Sequence, residues 1–351
     1  MSSGDVRFQR KGVLGIVILD RPAALNALTH EMVNAMSRQL AAWRNDSTVA
    51  AVLVKAAAGR AFCAGGDIRA VTQLARSEGV AKAAEFFAHE YRLNWRIHSY
   101  PKPYVAFIDG VTMGGGVGIS VHGPYRIATE QTLFAMPETT IGFFPDVGGT
   151  WFLPRLPGEL GMYLGLTGHR LHAADCRAAG IATHNVVRER LPEIEDRLAA
   201  GRDIDSCLAA LSSTPSHATL DKHRAQIDRC FAGVTLDAVM EALKAEPTGW
   251  GEAQLNELAG KCPVSLRVTF AQLRRGRALA RFEDTMRLEY RMVHRFLERP
   301  DFFEGVRALL VDKDKRPHWS RLDPQAVEES LVEACFAPLP GGDLAFDWEG
   351  I

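Results

Sequence analysis

No Cys-x-x-Cys pair occurs in the sequence, and the six cysteines (Cys63, Cys176, Cys207, Cys230, Cys262 and Cys335) are scattered through 351 residues. That spacing fits neither a disulfide framework nor a zinc site, and it reads as reduced thiols in a cytosol-like compartment. His169 and His172 lie three apart without a cysteine or carboxylate set to complete a metal site, so no metal is expected. No run approaches the ~18 apolar residues of a spanning helix, because Lys or Arg interrupts each candidate. The N-terminus, Met1-Ser-Ser-Gly-Asp-Val-Arg, lacks the apolar core of a signal peptide and the pattern of a transit peptide. Charge of one sign is also missing: 41 Lys+Arg against 42 Asp+Glu leave a net charge of -1, which gives no electrostatic case for nucleic acid or a membrane surface as partner. There is no fixed-period repeat, no GxGxxG fingerprint, no GxxxxGK[ST] phosphate loop and no GxSxG elbow.

What is present is ordinary globular material, 47% hydrophobic and 24% charged, long enough for a sizeable core. Val6 to Leu19 reads as a hairpin turning at Lys11-Gly12. Thr29 is placed to cap a helix running to about Trp43, with Val33, Met36, Leu40 and Trp43 at helical steps. Strands are expected at Ala50–Val54, Tyr104–Ile108 and around Arg126, with a helix over 81–98. Strands alternating with helices give an α/β class. The texture changes after about Gly180, so the chain divides into an α/β region, residues 1–188, and a mainly helical region, residues 189–351.

Three groups of residues can carry chemistry. Glu90 shares a helix face with Phe86, Leu93 and Ile97, whereas Arg92, Arg96 and His89 fall elsewhere. A carboxylate in an apolar stripe is costly to desolvate, so Glu90 is either a helix-edge acid paired with an Arg or a carboxylate lining a cavity. In Met136-Pro-Glu138-Thr-Thr-Ile-Gly-Phe-Phe-Pro-Asp146, two acids sit in apolar surroundings that raise carboxyl pKa values toward general acid/base use. Turn-forming or capping acids are the competing reading. Gly65-Gly66 and Gly114-Gly115-Gly116 follow strand-like runs, where free amides can meet an oxyanion or simply allow close packing. Cys63 reads as a packing residue, and His122 and His184 as structural.

Phe62-Cys-Ala-Gly-Gly-Asp-Ile68, Lys102-Pro, Asp109-Gly-Val-Thr-Met-Gly-Gly-Gly-Val-Gly118 and Met136-Pro-Glu138 together resemble the crotonase (enoyl-CoA hydratase/isomerase) superfamily. Ile141 to Gly149, Phe152 to Gly158, Ala178 to His184 and Arg299 to Pro317 are more similar to its 3-hydroxyisobutyryl-CoA hydrolase branch. The resemblance implies a spiral of ββα units with a helical C-terminal region and an acyl-CoA substrate. It also implies no separate cofactor and leaves a homo-oligomer open. By position Gly66 and Gly115 supply the two oxyanion-binding amides, Glu138 and Asp146 the reacting acids, and Glu90, Gly115, Glu138 and Asp146 the substrate contacts. Of the two glutamates of a hydratase, one matches Glu138 and the other falls on Gly118, which has no side chain. The implied activity is therefore hydrolysis of a short β-hydroxyacyl-CoA thioester in valine breakdown, in a bacterial cytoplasm or, for a processed chain, a mitochondrial matrix. A hydratase or isomerase is the alternative, and a non-catalytic acyl-CoA binder a further one. Residues 57–62 would lie near the adenine, and the Arg274, Arg275, Arg277, Arg281 series is a candidate for the CoA phosphates or a solvated helix face.

Overall fold

The computed structural model describes residues 4–213 and 218–348. Its first elements follow from the sequence pattern: β1 (Val6–Lys11) and β2 (Leu14–Leu19) pair antiparallel, Val6 opposite Leu19 and Lys11 opposite Leu14. Every residue of β2 is buried, as expected of an unbroken apolar run covered on both faces. The Thr29 hydroxyl accepts the Met32 amide at 3.1 Å and caps α1 (His30–Asn45). Met32, Val33, Met36, Leu40 and Trp43 form the buried stripe of that helix.

The chain then repeats a strand pair three times, and each pair is split between two sheets. β3 (Ala51–Ala56), β5 (Tyr104–Ile108) and β7 (Tyr125–Ala128) enter a six-stranded sheet of order β1-β2-β3-β5-β7-β10. Their followers β4 (Ala61–Cys63), β6 (Val111–Met113) and β8 (Leu133–Ala135) enter a four-stranded sheet of order β4-β6-β8-β9. The closing strands are β9 (Leu171–His172) and β10 (His184–Asn185). After the β1 hairpin the large sheet is parallel, whereas β9 runs antiparallel to β8. Helices α2 (Ile68–Glu78) and α3 (Val80–His98) follow β4, and the one-turn α4 (Gly115–Gly118) follows β6. This is the expected spiral of ββα units.

Beyond β8 come the short helices α5 (Gly149–Phe152), α6 (Leu160–Thr167) and α7 (Ala173–Ala178). From α8 (Leu191–Ala199) and α9 (Ile204–Leu211) onward the described residues hold helices and turns: α10 (Arg224–Cys230), α11 (Leu236–Lys244), α12 (Trp250–Ala259), α13 (Pro263–Gly276), α14 (Phe282–Leu297), α15 (Pro300–Val306) and α16 (Glu329–Phe336). Strand periodicity decides what each helix covers. Leu14, Ile16 and Ile18 face one way with Val105 and Ile127, onto Ile194, Leu198 and Leu208 of α8 and α9. Val17 and Leu19 face the main core, which takes in α1, α3, α13 and α14. Among the described residues no helix is long and apolar enough to cross a membrane.

One sequence expectation changes. Arg96 does not lie on a free face of α3 but is 1% exposed, with Nη1 donating to Ser37 Oγ at 2.8 Å and Nη2 to the Asp347 carbonyl at 3.3 Å. The C-terminal segment lies across α3 and buries it from a side that helical periodicity leaves polar. Lys102 of the Lys-Pro motif closes the C-terminal end of α1, donating to the carbonyls of Trp43 (2.5 Å) and Asp46 (2.7 Å), where a cation also meets the negative end of the helix. Lys102→Met should therefore lower unfolding free energy by about 2 kcal/mol, the range of a lost charged hydrogen bond, measurable by urea denaturation.

Candidate active site

The residues singled out from the sequence are brought together by different elements. Glu90 comes from the second half of α3, Gly66 from the turn between β4 and α2, and Gly115 from the start of α4. Glu138 begins a 3-10 turn, Glu138–Ile141, after β8, and Asp146 lies in the loop before α5. All five line one cavity of about 1520 Å³.

The glycines allow this convergence. A methyl group on Gly115 would lie 2.5 Å from Glu90 Oε1 and 3.1 Å from the Gly66 nitrogen, so the two amides and the Glu90 carboxyl are immediate neighbours. On Gly114 it would lie 3.3 Å from Glu138 Oε1. Neither the Gly66 nor the Gly115 amide donates to another backbone carbonyl among the described residues. Two free N–H groups side by side are the geometry of an oxyanion pocket. Gly66 does not itself open a helix: Asp67 intervenes and caps α2, accepting the Ala70 amide at 3.2 Å.

The three acids are almost wholly enclosed, at 2% (Glu90), 6% (Glu138) and 5% (Asp146) exposure. Glu90 Oε1 and Glu138 Oε2 have no hydrogen-bond partner among the described residues, and no arginine pairs with Glu90, so the cavity-lining reading holds for it. Burial raises the Glu90 carboxyl well above its usual range, and the nearby Asp146 adds to this. Burial, again with Asp146, does the same to Glu138. Asp146 is pushed up to about 7 by burial, partly offset by the Tyr91 hydroxyl, which donates to Asp146 Oδ2 at 2.9 Å. Three buried acids whose proton affinity is raised by burial, facing two free amides, suit proton transfer and acyl chemistry.

Sequence reasoning missed several residues here. Asn94, one turn after Glu90, is fully buried, and both atoms of its amide lack partners among the described residues. A methyl group on Gly118 would lie 2.7 Å from Asn94 Nδ2 and 2.7 Å from Val147 Cβ, so this position has no room for any side chain. Asn94, four residues on, could have been found from its spacing to Glu90, whereas Tyr91, the next residue, carries no such signal. His122 is structural, as expected, yet it serves the site: its Nε2 donates to the Val147 carbonyl at 2.7 Å. Burial pushes Cys63 up to about 12, consistent with a packing residue, and His184 sits half-buried beside Thr183 at 3.0 Å.

The arginine series does not reach the cavity. Arg274 and Arg277 pair with Glu159 at 3.2 and 2.8 Å, Arg275 pairs with Glu333, and Arg281 pairs with Glu283 at 3.6 Å. Arg274, Arg275 and Arg277 thus tie the end of α13 to the start of α6 and to α16, and Arg281 pairs within the first turn of α14, none of them toward the pocket. The cations that do line the cavity are Arg60, Arg69, Arg170, Lys261 and Lys313, besides Arg21. Lys313 is carried by a loop wound on Arg307, whose Nη1 donates to Asp312 at 2.7 Å and Asp314 at 2.6 Å.

A family profile described as enoyl-CoA hydratase/isomerase matches residues 14–336. A curated relative, 3-hydroxyisobutyryl-CoA hydrolase, mitochondrial, of Xenopus laevis is 44% identical over 98% of this chain and 91% of its own length. Two solved structures are similar throughout. A carnitinyl-CoA dehydratase from Mycobacterium thermoresistibile has a TM-score of 0.93 and 41% identity, covering 99% of this chain and 100% of that one. An enoyl-CoA hydratase from Rhodobacter sphaeroides has a TM-score of 0.91 and 39% identity, covering 97% and 100%.

The raised Asp146 carboxyl has a consequence for stability. In the folded protein it holds its proton to about pH 7, but in the unfolded chain only to its ordinary 3.8. Between those values the native state binds more protons, so this group's contribution to stability falls as pH rises through the window. Asp146→Asn removes that slope. Thermal melts should show the variant gaining on the wild type at about pH 8 and not at about pH 4.

Proposed function

The chain belongs to the enoyl-CoA hydratase/isomerase family, and within it we propose that the protein hydrolyses a short β-hydroxyacyl-CoA thioester, 3-hydroxyisobutyryl-CoA being the substrate that the resemblance and the curated relative favour. The observation that carries this reading is the convergence of Glu138, Asp146 and Glu90 on the free amides of Gly66 and Gly115. A hydratase reading, suggested by the names of the two solved relatives, meets the Gly118 position. The first glutamate of a two-glutamate site would have to stand there, and Asn94 and Val147 already occupy the space.

In the proposed reaction the thioester oxygen accepts hydrogen bonds from Gly66 and Gly115, which polarise the carbonyl and stabilise the tetrahedral oxyanion. Glu138 attacks the carbonyl carbon, or removes a proton from a water that does so. The C–S bond breaks and the CoA thiolate takes a proton delivered through Asp146. On the covalent route a water then cleaves the acyl–Glu138 anhydride and gives its proton to Asp146. Glu90 holds the substrate's 3-hydroxyl: its bare Oε1 beside Gly115 is a buried polar atom that an analogue without the hydroxyl leaves unpaired. The chemistry uses carboxyls, main-chain amides and water. Arg60, Arg69, Arg170 and Lys313 make no ion pair among the described residues, and in this reading they face the phosphates of CoA. The product acid would belong to valine breakdown.

Thiol release measured across hydroxyacyl-, saturated and enoyl-CoA esters tests the assignment. Hydroxyacyl esters should release thiol fastest, and loss of enoyl absorbance without thiol would replace hydrolysis by hydration. Glu138→Gln should lower kcat by about two to three orders of magnitude, the scale of losing a group that acts in the transition state. Wild-type turnover should fall as pH rises above about 7, where Asp146 loses the proton it passes to the thiolate. Tyr91→Phe removes a bond that favours the Asp146 carboxylate, so the alkaline limb of its pH–rate profile should move to higher pH. Glu90→Leu should reduce the preference for hydroxylated over plain acyl esters by at least about tenfold. Unchanged preference would remove Glu90 from this role.

A further inference from the structure

The loop that carries Asp146 is held in a conformation that its own sequence resists. Val147 has φ +49, a left-handed backbone that a β-branched residue adopts only under external constraint. Gly148 follows at φ +89. The constraint comes from four side chains on distant elements. Tyr91 of α3 bonds the Asp146 carboxyl, and His122 holds the Val147 carbonyl. Gln272 of α13 donates to the Pro145 carbonyl at 2.6 Å and to Thr150 Oγ1 at 2.7 Å. Glu289 of α14 accepts the Gly148 amide at 2.8 Å through Oε2 and the Thr150 amide at 2.9 Å through Oε1.

Glu289 differs from an ordinary helix cap. It stands in the middle of a sixteen-residue helix, fully buried within the stripe Phe282, Met286, Met292, Val293 and Phe296. Its carboxyl is pushed up to about 8, chiefly by burial and further by Asp146. Placing an acid among apolar neighbours and beside another acid is unfavourable unless its two oxygens have specific work. Both oxygens are committed to the two amides that bracket Gly149, immediately after the strained valine. The ionisable groups close to it are Asp146 and Glu138 of the cavity wall, and Tyr91, which bonds Asp146. His122 lies against Gly148 on the other side.

We propose that Glu289 is a positioning residue for Asp146: by gripping the amides of Gly148 and Thr150 it holds the Val147 turn in its strained form and keeps the Asp146 carboxyl aimed into the cavity. The helical C-terminal half thereby contributes to the chemistry without touching substrate. This inference rests on the reading that Asp146 works in that cavity. A glutamine at position 289 accepts through one oxygen only and turns an NH2 group toward the second amide, where two donors meet. An aspartate keeps both carboxyl oxygens but is one methylene too short to reach both amides.

The experiment compares wild type, Glu289→Gln and Glu289→Asp by steady-state thiol release on the best ester of the panel and by amide hydrogen exchange. If Glu289 positions Asp146, both variants lose at least about tenfold in kcat while KM stays within about threefold. Exchange then accelerates over residues 146–150 and stays as in wild type along α13 and α14. Unchanged kcat overturns the proposal. So does exchange that rises evenly through α14, with activity falling only as the folded fraction falls. If one variant does not fold, the other decides by the same readings. A wild type that releases no thiol from any ester overturns the hydrolase reading alone, because the exchange pattern still tests whether Glu289 holds the loop.

Discussion

The structure depends on burying acids where no cation answers them. Glu90, Glu138, Asp146 and Glu289 are enclosed together, and burial is the first cause of the raised proton affinity of each. An arrangement of this kind is destabilising in itself. It persists because the acids meet main-chain amides and one phenol instead of arginines. Glu289 takes two loop amides and Asp146 the Tyr91 hydroxyl. Glu90 Oε1 and Glu138 Oε2 are left bare beside the cavity. What is poor for folding is the useful state for a reaction that needs protons near pH 7 and an unsolvated carboxyl.

The same constraint explains the glycine-rich turn. Helix α3 presents Glu90 and Asn94, one turn apart, to α4, and only glycine backbone admits them: Gly115 lies under Glu90 and Gly118 under Asn94. Gly116 is pressed just as closely from the other side, since a methyl group there would sit 2.1 Å from the Cys63 carbonyl. The close packing left open from the sequence is therefore present at Gly115, Gly116 and Gly118. Close packing is what leaves the Gly115 amide facing the cavity next to that of Gly66. It also separates this chain from a two-glutamate arrangement, because the missing glutamate has been replaced by packing and not merely by an empty space.

The two halves of the chain meet at the Asp146 loop. Its strain at Val147 is countered by side chains from α3, α13, α14 and the segment after α4. Residues far apart in sequence thus fix one carboxyl, which is how a rigid scaffold positions a reactive group better than a loop alone can. The mouth of the cavity follows the same plan: Lys313 reaches it because Arg307 gathers Asp312 and Asp314 into a tight loop.

The sequence by itself determined the elements whose signals are local: the β1–β2 hairpin, the Thr29 cap, the apolar stripe of α1 and the central strands, since alternation and helical spacing are read along the chain. It also marked Glu90, Glu138 and Asp146, because acids in apolar surroundings are conspicuous in one dimension. Glu289 carries the same mark, an acid in the apolar stripe of α14, but nothing in the chain says what its carboxyl meets. Only the tertiary structure decided that Arg96 is buried, that Arg274 to Arg281 pair with acids away from the cavity, and that Gly118 is walled in by Asn94 and Val147. Each of these depends on which remote segment covers a given face, and covering is settled by packing across the fold, beyond the reach of a pattern that repeats every two or three and a half residues.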